Sequence, residues 1–284
     1  MSDVEAGTGA DAAATPDAAV ATDTSAPGPA PVEATARGAG FLTAVRLIAG
    51  RELGACFDGK IAYVSTIAFV VLANSIFMNE FFLTGTVDMS GYFELMPLLL
   101  PFFLPAVTMR LWAEERKTRT LELLMTLPVR PSAAVLGKFL AALGLYALFL
   151  LGSLPIVAML FSLGDPDPGL IVAGYLGLLL LGSFLLALGT FLSSLVSDQI
   201  VAFVTAAVVG SAFVLLGNDS VVAVLDGLFP ERAIGTWLLE HVSVRPHFEA
   251  FVRGVVPASG VIWLLGGTSV FLWLTATTLR RHRD

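Results

Sequence analysis

The sequence predicts an all-α integral membrane protein. Six transmembrane helices follow one interfacial helix, and a short amphipathic helix sits on the cytoplasmic side between the second and third spans. Three observations predict this. Of 284 residues, 56% are hydrophobic and only 14% charged, whereas a soluble domain carries about 25% charged residues. A chain so poor in charge lacks the polar surface to cover a water-soluble globule. Its apolar residues fall into six runs close to the ~20 residues that cross a hydrocarbon core. The bases between those runs alternate in number from side to side, as they do around membrane spans.

Residues 1–40 stand apart. They hold six acids (Asp3, Glu5, Asp11, Asp17, Asp23, Glu33) and one base, Arg37, so most of the net charge of −7 belongs to them. They are Ala, Pro, Thr and Asp in loose mixture, with neither the basic start nor the apolar core of a secretory signal. Such a segment cannot bury enough apolar surface to offset its ordering entropy, and the expectation is a disordered cytoplasmic tail. The transmembrane domain is then 41–284. No basic excess points to nucleic acid. A single cysteine, Cys56, excludes an intrachain disulfide and reads as a small apolar filler.

From Phe41 to Phe57, apolar residues recur near helical spacing (Phe41, Val45, Ile48, Leu53), interrupted by Arg46, Arg51 and Glu52. A basic amphipathic helix of this kind suits the anionic inner leaflet. The spans are expected near 61–83, 92–111, 133–163, 170–195, 200–216 and 255–279. Gly164-Asp-Pro-Asp-Pro-Gly169 is a strong turn between the third and fourth. Only Val196-Ser-Asp-Gln199 separates the fourth from the fifth. Two long connections remain, about 112–132 and 217–254.

The bases orient the chain. Twelve lie on one set of connections and edges: Arg46, Arg51, Lys60, Arg110, Arg116, Lys117, Arg119, Arg130, Lys138, Arg280, Arg281 and Arg283. The other set has three, Arg232, Arg245 and Arg253. The richer side is cytoplasmic. Both termini then face the cytoplasm in a multi-pass cell-membrane protein, and 217–254 faces outside. Within that outer segment, 221–229 and 234–242 read as short amphipathic or re-entrant helices, ended or separated by Pro230 and Pro246. It is expected to cap the outer mouth or meet an extracytoplasmic partner.

The 112–132 connection is the most specific stretch. The second span runs out through Glu114-Glu115-Arg116-Lys117, and Thr118 or Thr120 offers an N-cap for a short helix over 121–126. Glu122 falls in its first turn, where a carboxylate complements the helix dipole. Leu121, Leu124 and Met125 make one apolar face, and Pro128 stops the helix. These leucines either lie flat on the inner leaflet or dock into a groove on a cytoplasmic partner.

Here the chain resembles the permease subunits of ABC-2 type transporters. The shared pattern is the acidic–basic run Glu114–Lys117, then Thr120-Leu-Glu-Leu-Leu124, Pro128, and Gly137-Lys138 at the next span. The segment His247-Phe-Glu-Ala-Phe-Val-Arg-Gly-Val255 is similar to the gliding-motility-type branch. The resemblance covers about 41–284. It implies a coupling helix here that inserts into an ABC ATPase subunit, with Glu114, Glu115, Thr120, Leu121, Glu122, Leu124 and Pro128 as coupling contacts. It implies a second permease copy or paralogue, ATP and Mg bound by the partner ATPase, and none by this chain. The implied function is export of an unidentified substrate; the alternative is a non-transporting component that relays ATPase-driven force to envelope or gliding-type machinery. Two positions depart from the pattern. Arg119 stands where the family has Gly, so a different break geometry is expected there, since non-glycine residues disfavour positive φ. Leu127 replaces the usual Ser or Thr before the proline.

The chain lacks a Walker A motif: Gly137-Lys138 is followed by Phe139, and position 132 is Ser rather than Gly. His241, His247 and His282 are not spaced as zinc ligands. No nucleophile or paired acids share a depth in the spans, which argues against an intramembrane enzyme. Asn74, in the first span, is either an interhelical hydrogen bond or a substrate contact. Pro97, Pro101 and Pro105 share one face of the second span, as a bent packing helix or as a flexible relay. Gly144, Gly152, Gly174, Gly177, Gly182 and Gly189 allow close helix approach, within the subunit or across a dimer.

Overall fold

The computed structural model of the protein describes residues 40–58, 60–120, 130–228 and 233–281. Among these residues every regular element is an α-helix: α1 Phe41–Asp58, α2 Lys60–Thr84, α3 Ser90–Lys117, α4 Pro131–Leu151, α5 Leu154–Leu163, α6 Pro168–Leu195, α7 Gln199–Leu215, α8 Asp219–Leu228, α9 Ile234–His241, α10 Arg245–Val252 and α11 Ala258–Arg281. The expected tail falls outside the described residues, as does the segment 121–129.

Five stretches are long and apolar enough to cross a membrane: α2, α3, α4 with α5, α6 and α11. The fifth expected span is a separate case. Helix α7 has 17 residues, and it passes the same test only together with α8, from which it is bent by 87°. The chain turns at Gly217-Asn218, where the Asn218 side chain accepts from the Ser220 N–H at 3.0 Å and starts α8. The count is therefore five spans, or six with the bent pair.

The third span is broken in the middle. Pro155 has no N–H to give to the preceding turn and its ring crowds the carbonyl four residues back. Helix α4 accordingly ends at Leu151 and α5 begins at Leu154. At the break the Ser153 hydroxyl donates to the Leu150 carbonyl at 2.7 Å and lies 2.6 Å from the Tyr175 hydroxyl. Helices α6 and α7 start cleanly, because the Asp167 and Asp198 carboxylates accept from the N–H groups of Gly169 and Ile200.

Helix α6 is the most enclosed of the spans and packs against α3, α4, α7, α10 and α11. Its small residues make this possible. Gly174, Gly177, Gly182 and Gly189 meet Phe93, Phe251, Tyr146 and Thr108, while Gly144 and Gly152 meet Leu53 and Val70. All six glycines are thus used for packing inside the chain. Helix α1 does more than lie along an interface: it packs lengthwise on α4, with Ile48 over Gly137 and Leu53 over Gly144, and Val45 is buried.

Among its described residues the 217–254 segment holds three short helices rather than two. The Asp226 carboxylate of α8 accepts from the Gly235 N–H at 2.6 Å and the Thr236 hydroxyl at 2.7 Å, which ties α8 to the start of α9. Pro246 begins α10 instead of ending a helix, because a missing N–H costs nothing in the first turn.

Candidate functional site

Where α3 ends and α4 begins, three helices meet on one ammonium group. Lys138, two turns into α4, is only 3% exposed, and a lysine so enclosed needs its charge matched. Two carboxylates match it. Glu115, in the last turn of α3, lies 2.8 Å away, and Glu52 of α1 lies 3.1 Å away. The Trp112 ring adds its face, 5.3 Å from the ammonium nitrogen. The second oxygen of Glu115 is buried without a hydrogen-bond partner. Arg51 meets the other oxygen of Glu52, so two cations balance the two carboxylates.

Burial pushes the Glu52 carboxyl up, but Lys138 and Arg51 outweigh it and hold the group below its ordinary value. Arg51 contributes through a 2.9 Å contact. Cys56, one turn on, is half-buried; burial and the Glu52 charge raise its thiol, which disfavours the reactive thiolate. A small cavity of about 120 Å³ lies beside the junction, lined in part by Glu52, Cys56, Ser65, Arg110 and Glu114. Arg110 and Glu114 pair along α3 at 2.9 Å on its half-exposed side.

Helix α6 grips α3 one turn before its end. The Ser193 hydroxyl accepts from the N–H groups of Trp112 and Ala113, at 3.3 and 3.2 Å, and donates to the Met109 carbonyl at 3.2 Å. A side chain bonded into the helical ladder this way fixes the local path of the helix.

Helix α3 then stops in a tight break. The Thr118 N–H and hydroxyl both donate to the Glu114 carbonyl at 2.9 Å. Arg119 follows with φ +58°. The expected departure at this position is therefore corrected: the arginine takes the left-handed conformation that suits glycine. Thr118 is likewise the C-cap of α3, so its hydroxyl serves the helix before it. Thr120 lies 2.9 Å from Thr118, hydroxyl to hydroxyl.

Of the residues expected to form coupling contacts, Glu114, Glu115 and Thr120 sit together at this end of α3. Leu121, Glu122, Leu124 and Pro128 lie outside the described residues. Glu52, Trp112 and Ser193 were missed: single polar or aromatic residues on three distant helices carry no local signal of their meeting. The Gly137-Lys138 pair was legible, and both halves act. Gly137 admits Ile48 of α1, and Lys138 binds its neighbour Glu52.

Asn74 is elsewhere. Its amide donates to the Gly152 carbonyl at 3.1 Å, at the break between α4 and α5. Pro97, Pro101 and Pro105 all lie within the unbroken helix α3; Pro101 and Pro105 are buried, and Pro101 faces Gly210 of α7. Among the described residues no His, Cys, Asp or Glu cluster could hold a metal ion.

A model of the ABC-2 family of transporter proteins matches residues 78–277, from α2 into α11 and over more than half of the chain. No curated protein matches.

Proposed function

The chain belongs to the ABC-2 family of transporter proteins, and on that premise we propose that it is the membrane-spanning permease subunit through which a separate ATPase drives export of a substrate. As a member of the family it is a membrane component that works with an ABC ATPase in a lipid bilayer. Beyond that, the basic end of the bundle is the cytoplasmic one, both termini lie there, and the protein resides in the cell membrane as a dimer with a second copy or a paralogue. An extracytoplasmic auxiliary protein would meet 217–254. The partner ATPase binds ATP and Mg.

The observation that supports this reading most directly is the Glu52–Lys138–Glu115 junction. It stands at the root of 121–129, the segment whose leucines and Glu122 form the proposed ATPase contact. Whatever pushes on that segment loads α3 and α4 together, and α1 with them. Thr120, Leu121, Glu122, Leu124 and Pro128 are the docking residues, and Glu114 and Glu115 link them to the bundle.

The test is co-purification of the full chain with its ATPase. Glu122→Lys together with Leu124→Asp is expected to abolish the complex and the stimulated ATPase activity. An unchanged complex would overturn the assignment of 121–129. A coupled ATPase cycle with no solute movement in proteoliposomes would replace export by the force-relay reading.

A further inference from the structure

At the end of the bundle opposite Lys138, a cavity of about 390 Å³ opens between the start of α3, the end of α7 and α10. Glu94 marks its place: it lies sixteen positions before Arg110 on α3, about 24 Å along the helix axis. The volume falls within the range of small-molecule sites. Its inner wall is apolar, with Val244, Phe248 and Val252 buried there, and Leu98 of α3 and Leu215 of α7, both about half exposed, line it as well. Its rim carries four charges, Glu94, Arg245, Glu249 and Arg253.

Three of the four are already engaged. Arg253 donates to Glu249 one turn away on the same segment. Arg245 donates to the Gly217 carbonyl at 3.0 Å, with Asp219 3.9 Å off. Glu94 has no ion-pair partner among the described residues. Glu94 and Glu249 balance Arg245 and Arg253 in formal charge, and Glu94 is the one of the four with no partner of its own among the described residues.

We propose that this cavity binds an amphipathic organic cation. Its ammonium group sits at Glu94 and its hydrocarbon body lies against Leu98 and Leu215. An anionic head would meet the unpaired Glu94 carboxylate while Arg253 is held by Glu249 and Arg245 by the Gly217 carbonyl, and a neutral one would forgo the charge interaction. As a statement about cargo the inference rests on the transporter reading; as a statement about binding it does not.

The experiment uses the full-length protein in phosphatidylcholine nanodiscs and a dansyl-tagged dodecylammonium probe, with empty discs as the partition baseline. Saturable binding above that baseline is expected. Glu94→Gln, at an exposed position, should weaken it about tenfold. Leu215→Trp should fill the cavity and remove it, with the melting temperature as the check on folding. Dodecyl sulfate should show no saturable component. Binding no greater than in empty discs, unchanged affinity in Glu94→Gln, or tighter binding of dodecyl sulfate would each overturn the site. Proteoliposomes with the ATPase then read cargo separately: a probe that binds at Glu94 but is never moved leaves the site standing and removes the substrate assignment.

Discussion

The Lys138 ammonium and the Glu115 carboxylate lie 2.8 Å apart, so the two helices that flank 121–129 are tied directly to each other. Glu52 completes the tie from α1 at 3.1 Å. On the proposed reading, this tie is what lets a push on 121–129 reach the bundle.

Charge removal at this junction is expected to separate stability from coupling. Lys138→Met leaves two carboxylates facing each other with only the exposed Arg51, on Glu52, as a cation, and breaking a buried ion set costs about 3–5 kcal/mol. The triple change Lys138→Met, Glu52→Gln and Glu115→Gln removes the repulsion as well and should recover most of that loss in thermal melting. ATPase-driven activity should stay low in both. Full activity in the triple variant would show that the tie has no part in coupling.

Acid should loosen α1. The Glu52 carboxyl is held below its ordinary value of 4.5 by Lys138 and Arg51, against the upward push of burial. A folded value below the unfolded one gives stability that is fully present above 4.5 and is lost as pH falls through the folded value. The distance between spin labels at Leu47 of α1 and Leu140 of α4 should broaden on acidification through that window. Glu52→Gln should remove the pH step.

Arg119 holds φ +58° without being glycine. Left-handed backbone costs an L-residue about 1–2 kcal/mol. Arg119→Gly should therefore raise stability by about 1 kcal/mol, read as melting temperature, and Arg119→Val should lower it. A loss on Arg119→Gly would mean that the arginine side chain contributes more than its backbone costs.

Asn74 separates two readings by one variant. Its hydrogen bond to the Gly152 carbonyl predicts that Asn74→Ala costs about 0.6 kcal/mol, the usual scale for such a bond in a membrane bundle. Substrate preference should stay the same. An altered preference at unchanged stability would place Asn74 on the pathway instead.

What the sequence determined by itself follows from short-range rules. Apolar runs of sufficient length give spans, since backbone polar groups in lipid must be satisfied within a helix. The run from Glu114 to Lys117 and the Gly137-Lys138 pair marked the place where α3 and α4 meet. The ends of the third and fifth spans fell where expected, but two local features did not show: Pro155 breaks the third span in its middle, and at Gly217-Asn218 the chain bends by 87° from α7 into α8. Partnership was decided only by the tertiary structure. Glu52 and Lys138 are 86 positions apart, and Ser193 is 81 from Trp112, so no periodicity pairs them. The glycines show the same limit: a small residue announces a close approach but not to what, and all six meet side chains of their own chain. Contacts between distant positions are set by how helices settle against one another, and that packing turned a charged loop edge into a three-helix junction.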